Sequence, residues 1–177
     1  LVNKGKPFFF LFVGHTERGK TYFLLQLLEN EFYDYFDHIY ILCPSIYNNK
    51  TYATWTYFND HDLFPVGCGN ETFEEFLKFM HEEAKGTNTL IIIDNLASSH
   101  LIKKQGGELA RLAMSRRHDH LSIIVLGQQY TSIAKSVRDQ ATWIVYFYQT
   151  VQKDLRTFRK NYLDELSEKR KKRSLLS

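Results

Sequence analysis

Phe8-Phe9-Phe10-Leu11-Phe12-Val13-Gly14-His15-Thr16-Glu17-Arg18-Gly19-Lys20-Thr21 is the stretch on which the reading of this chain turns. Its first six residues are a continuous apolar run, the pattern of a strand covered on both faces. Gly14 to Thr21 then matches G-x-x-x-x-G-K-[ST] in full. Lys20 to Glu31 follows, with Phe23, Leu24, Leu27 and Leu28 at helical spacing. Strand, glycine loop and helix, in that order, are what a phosphate cradle needs. The glycines let backbone N–H groups converge on phosphate oxygens, and the helix N-terminus adds a favourable dipole. Lys20 brings a point charge to the β and γ phosphates, and the Thr21 hydroxyl is a ligand for Mg²⁺. Gly14, His15, Thr16, Glu17, Arg18, Gly19, Lys20 and Thr21 are therefore expected to wrap the phosphates of a nucleotide, ATP, with Mg²⁺ beside it.

A second motif lies downstream. Leu90-Ile91-Ile92-Ile93-Asp94 is an apolar strand that delivers a carboxylate at its C-terminal end. In a P-loop fold that carboxylate holds Mg²⁺, so Thr21 and Asp94 are the expected metal residues. Asn95 comes next. A carboxylate there could take a proton from the attacking water; an amide cannot. General-base catalysis is worth roughly a hundred- to ten-thousand-fold. Slow hydrolysis, a base from elsewhere and a deliberate substitution all remain open.

The rest of the chain alternates strand and helix patterns. Ile39–Leu42, Thr89–Ile93, Leu121–Leu126 and Thr142–Tyr148 read as strands. Helical patterns cover 71–84, 107–117, 132–139 and 152–172. Residues 45–70 show no clear period and read as a loop or insertion, with a strand near Thr54–Phe58. The alternation predicts an α/β fold with a largely parallel central sheet flanked by helices. Its division is an ATPase domain over residues 1–150 and a basic helix or tail over 151–177.

Ser122-Ile123-Ile124-Val125-Leu126-Gly127-Gln128-Gln129-Tyr130 is a third buried strand, tipped by an amide that could touch both γ-phosphate and lytic water. Ser115-Arg116-Arg117-His118 precedes it, and Val137-Arg138-Asp139 follows. With the phosphate loop and the IIIDN strand, this order resembles the FtsK–HerA group of P-loop ATPases, which are additional-strand NTPases. Within that group it is most similar to the genome-packaging ATPases of poxviruses, other large eukaryotic DNA viruses, virophages and Polinton-type elements. The resemblance covers roughly residues 8–150.

It implies an ATP hydrolase that drives double-stranded DNA into a preformed capsid. The partners it implies are duplex DNA, a ring of like subunits (pentamer or hexamer) and the capsid or its portal vertex. The place of work is the host-cell cytoplasm or nucleus at sites of virus assembly, or the virion. Lys20, Thr21 and Asp94 fall on the nucleotide and Mg²⁺ positions. Gln128 fits the sensor position better than Gln129. Asn95 departs from the family's usual carboxylate. An arginine acting across a subunit interface is expected, with the Arg116-Arg117 pair favoured, Arg138 a further candidate and Arg18 a rival in cis. Other readings are a helicase or conjugation-type DNA pump, and an ATP-binding assembly subunit with impaired hydrolysis.

Composition narrows the field. Hydrophobic residues are 44% and charged residues 24% of 177, a globular balance. Cys43 and Cys68 form no metal or redox spacing, so a reducing compartment is the default. No run approaches the roughly 18 apolar residues of a membrane helix. The chain opens on Leu1 with no leader pattern ahead of the fold, as an excised piece would. His118 is expected to pack or hydrogen-bond rather than bind metal. The net charge of +3 is uneven: residues 153–173 carry nine Lys or Arg against four Asp or Glu. A basic end on a near-neutral body suits an anionic partner.

Overall fold

A computed structural model describes residues 5–55, 63–66, 70–83, 86–94, 105–148 and 150–163. Among the described residues, six strands form one sheet: β1 (Phe9–Val13), β2 (His38–Leu42), β3 (Leu63–Val66), β4 (Thr89–Asp94), β5 (Leu121–Gly127) and β6 (Trp143–Tyr146). Their spatial order is β3-β2-β4-β5-β1-β6, and every pairing is parallel. Parallel neighbours need crossovers, and the helices supply them. These are α1 (Lys20–Glu31), α2 (Lys50–Ala53), α3 (Asn70–Glu83), α4 (Glu108–Ser115), α5 (Lys135–Arg138) and α6 (Gln152–Phe158).

The three central strands β4, β5 and β1 are buried at every position, as continuous apolar runs demand. Alternate side chains enter two cores. Phe9, Leu11, Ile91, Ile93, Ile123 and Val125 meet Leu77 and Met80 of α3 and Leu109 and Leu112 of α4. Phe10, Phe12, Leu90, Ile92, Ile124 and Leu126 meet Leu24, Leu25 and Leu28 of α1.

The additional-strand prediction is met in a specific way. β5 lies between β1 and β4 rather than at an edge. Of the strand expected near Thr54–Phe58, only Thr54 and Trp55 are described, and they are not in a strand. Residues 50–53 are one helical turn, Thr54 closes it, and the edge strand lies later, at Leu63–Val66. Residues 56–60 fall outside the described structure. Pro65 disguised β3: it brings no ladder N–H and reads as a break, yet an edge strand tolerates it.

Helix α6 continues into a π-helical turn over Arg159–Leu163. Rather than leaving the body, this segment packs Phe158 and Tyr162 against the first core. It is hooked in place by Asp154, which is fully buried. The Asp154 carboxylate accepts from the backbone N–H groups of Tyr130 (2.7 Å) and Thr131 (3.0 Å) and from the Thr131 hydroxyl (2.5 Å). Asp154→Ala leaves those donors buried and unpaired, and hydrogen bonds to a charged group are worth about 1.5–3 kcal/mol each. We therefore expect the variant to lose about 3 kcal/mol of unfolding free energy, read as a lowered urea midpoint at unchanged slope.

Candidate nucleotide site

The parallel register brings three chain segments to one edge of the sheet. Asp94 of β4 pairs with Leu126, and Val13 of β1 pairs with Gly127. Open α/β sheets hold ligands beyond the carboxyl ends of their strands, and the candidate site lies there. The loop after β1 is pinned from both sides: Gly14 N–H donates to Gly127 O (3.1 Å), and Phe147 N–H donates to Val13 O (2.7 Å).

Glycine is required at the first loop position by space. A Cβ on Gly14 would lie 2.5 Å from Phe147 Cβ. Further along, Glu17 (φ 60°) and Gly19 (φ 81°) are left-handed, a conformation used in concave runs of N–H donors. For Glu17 that conformation is uncommon and carries strain. α1 starts at Lys20 with no side-chain cap on Gly19 and no acidic residue in its first turn. Its first N–H groups and positive dipole end are thus left for an anion.

Lys20 folds back over the loop, its ammonium donating to Gly14 O (2.7 Å) and His15 O (2.8 Å). Burial lowers its pKa, while the nearby Asp94 carboxylate works the other way. Thr21 Oγ1 donates to Asp94 Oδ2 at 3.1 Å. The Tyr52 phenol, buried, donates to the same oxygen at 2.9 Å. Burial, and then the negative field of Asp94, push the Tyr52 pKa well up, so the hydroxyl stays protonated. Burial likewise raises the thiol pKa of Cys43 below the site.

The cleft measures about 270 Å³ and is lined by Thr16 to Tyr22, Asn49, Thr51, Asp94, Leu126 and Gln128. Small-molecule pockets run to about 300–1,000 Å³. This one lies just under that range and is lined chiefly by the phosphate loop. Beside it Arg18 stacks 5.2 Å over the exposed ring of Tyr148. The oxygen pair Thr21–Asp94 suits a hard cation such as Mg²⁺. Among the described residues, no group of three or more His, Cys, Asp or Glu side chains is placed to hold a metal ion.

The other expected residues separate. Gln128 lines the cleft, whereas Gln129 faces a neighbouring pocket with Lys135 and Arg138. Arg138 stacks 4.2 Å over Tyr130. Its Nε and Nη1 are buried without a hydrogen-bond partner. Arg116 and Arg117 are not brought to the loop of their own chain. Leu121 N–H donates to Arg116 O at the start of β5. Seven residues at ~3.3 Å each put the pair roughly 20 Å from the cleft edge. Arg116 is only 4% exposed and donates to Ala113 O in its own helix. Arg117 is exposed and shares a groove with Lys6, His120 and Trp143. His118 is exposed, which leaves the hydrogen-bonding alternative rather than packing. Asn95 lies outside the described residues.

Tyr52 and Asp154 escaped sequence reasoning. For Tyr52 a signal existed: Asn49 caps α2, its Oδ1 accepting from Thr51 N–H at 3.0 Å, and an Asn three residues before a bulky aromatic can announce such a turn. Asp154 sits in a charged run and looks like surface.

The family model described as "Poxvirus A32 protein" matches residues 3–176. Among solved structures the chain is similar to B204, the DNA-packaging ATPase from Sulfolobus Turreted Icosahedral Virus. That match has 17% identity over 93% of this chain and 87% of that one, at a TM-score of 0.69. It is also similar to the genome packaging NTPase B204 from Sulfolobus turreted icosahedral virus 2 in complex with ATP-gammaS, with 21% identity, 95% and 87% coverage, and a TM-score of 0.68. EssC (ATPases 2 and 3) from Geobacillus thermodenitrificans is similar at 16% identity, with 84% of this chain, 33% of that chain and a TM-score of 0.62. At these identities the likeness is one of fold. No curated protein matches the chain.

The two glycines flanking the cleft should respond unequally. A Cβ at Gly127 would meet the mobile end of Ile133 (Cδ1, 2.7 Å), whereas at Gly14 it meets a Cβ fixed to backbone. Gly14→Ala is expected to cost about 2–3 kcal/mol and Gly127→Ala about 1 kcal/mol, since overpacking depends on whether the neighbour can yield. Denaturant unfolding of both variants checks the order.

Proposed function

The chain belongs to the poxvirus A32 protein family, and from that premise we propose that it is an ATP-hydrolysing motor that drives double-stranded DNA into a viral capsid. The observation that supports this furthest is the Thr21–Asp94 hydrogen bond at the cleft behind the glycine loop, beside a lysine that donates to two loop carbonyls. The same fold carries the DNA-packaging ATPase and the genome packaging NTPase of the two Sulfolobus turreted icosahedral viruses.

In this reading Gly14 to Thr21 wrap the triphosphate, and Lys20 leaves its two carbonyl partners for the β and γ phosphates. Thr21 and Asp94 would hold Mg²⁺, which would neutralise charge on the phosphates. Thr21 would offer it a lone pair while its own hydroxyl proton stays hydrogen-bonded to Asp94. Gln128, at the tip of the interposed strand, orients the attacking water. An arginine from the next subunit of a ring completes the site. Arg117 is the exposed member of the favoured pair. Arg116 would have to leave its burial, and Arg138 and Arg18 stand at the cleft edge of the sheet. The basic run Lys169-Arg170-Lys171-Lys172-Arg173, outside the described residues, holds DNA phosphates without reading bases.

A second reading rests on Asn95: a subunit that clamps nucleotide and assembles without turnover. Side-by-side binding and hydrolysis separate the two. We expect Lys20→Ala to abolish tight MgATP binding in a calorimetric titration with the unfolding midpoint retained. Equal affinity with and without the lysine would end the nucleotide assignment. ATP turnover, measured with and without duplex DNA, is expected to be slow and DNA-stimulated. Asn95→Asp should raise it roughly a hundredfold or more if the missing base is limiting. Tight binding with no turnover in either chain decides for the clamp.

A further inference from the structure

Asp94 is 6% exposed, and a carboxylate so buried must be held by donors. Two hydroxyls meet on one of its oxygens, Thr21 Oγ1 at 3.1 Å and Tyr52 OH at 2.9 Å. Thr21 belongs to the phosphate loop's helix. Tyr52 arrives from the connection between β2 and β3, which carries no motif. Its own position is fixed. Tyr52 is 3% exposed, its N–H donates to Asn49 O at 3.1 Å, and Ile46 and Trp55 share its core. Asn49 and Thr51 of the same turn line the cleft.

A threonine hydroxyl has one proton and two lone pairs. When it donates to Asp94, its lone pairs face away from the carboxylate, toward the cleft. The direction of those lone pairs therefore depends on where Asp94 Oδ2 is held. A donor on a rigid, buried ring limits how far that oxygen can swing with the threonine.

We propose that Tyr52 is a positioning residue for the divalent cation of the nucleotide complex, acting through Asp94 and Thr21 and touching neither cation nor phosphate. The assignment rests on the reading of the cleft as a nucleotide site. It gives the stretch between β2 and β3 a function: the short capped turn at Asn49 exists to bring one phenol under the carboxylate.

The test is a titration of the full chain with a fluorescent ATP analogue, in EDTA and across a Mg²⁺ series. Tyr52→Phe keeps the buried ring and removes only the hydroxyl, and an unfolding curve run beside the titration confirms the fold. The expected result is analogue affinity in EDTA within about twofold of the parent, with the half-saturating Mg²⁺ concentration raised about tenfold. Outer-shell partners of metal ligands commonly carry ten- to a hundredfold in metal affinity. In an Asp94→Asn background the same substitution should add no more than about twofold, because residues acting in series do not add. A purely structural tyrosine would lower the unfolding midpoint and leave the Mg²⁺ series unmoved, which overturns the proposal. A full tenfold loss on top of Asp94→Asn overturns it as well. If the parent chain itself binds the analogue with no Mg²⁺ dependence, the nucleotide reading and the proposal fall together. If the parent responds to Mg²⁺ and Tyr52→Phe responds identically, only the role of Tyr52 is lost.

Discussion

The register of β1, β5 and β4 fixes where each polar group of the site can stand. Val13 lies opposite Gly127, and Asp94 lies opposite Leu126. A slip of one residue in either pairing would turn every side chain of a strand to the other face. It would also carry Asp94 out of reach of Thr21. Two cores oppose such a slip, because each takes alternate residues from the same strands. Packing on both faces of the sheet therefore holds a polar contact of 3.1 Å at its edge. The loop adds its own lock, since Gly14 is hydrogen-bonded to β5 and overlain by Phe147 from the far side of β1.

Much of this was legible in the residues, for physical reasons. Strands buried on both faces cannot alternate, so Phe8–Val13, Leu90–Ile93 and Ser122–Leu126 announce themselves as apolar runs. The phosphate loop is legible because its geometry admits few residues. Lys20, Thr21 and Asp94 meet as their motifs imply, and Gln128 reaches the cleft where Gln129 does not. Edges and connections were less visible. β3 contains Pro65 and gains its order from β2 alone. The turn that presents Tyr52 is one helical cycle long, too short for any period to appear. Arg116 looked like surface charge or a reaching finger. Its burial at the start of β5 depends on long-range packing that no local pattern encodes.

Burial of polar groups follows one rule in two places. Asp94 and Asp154 are both nearly or fully withdrawn from water, and each is met by donors from a distant segment. Such groups add specificity because an apolar replacement would tolerate several arrangements where a carboxylate with fixed donors tolerates one. Asp94 ties the β2–β3 connection to the phosphate loop. Asp154 ties the final helix to the residues that follow Gln128.

The second tie has a mechanical consequence. A pull applied at Leu163 enters the fold through the π-helical turn and α6, and the Asp154 hook is where α6 grips the residues that follow β5. Tyr130 and Thr131, which hold that hook, stand two and three residues from Gln128. Tyr130 also touches Tyr162 across 3.2 Å, a second anchor on the same line. Tension applied at Leu163 is thus delivered directly behind the amide at the cleft. One load path of this molecule runs from the end of the π-helical turn, through Asp154 and Thr131, to the phosphate pocket.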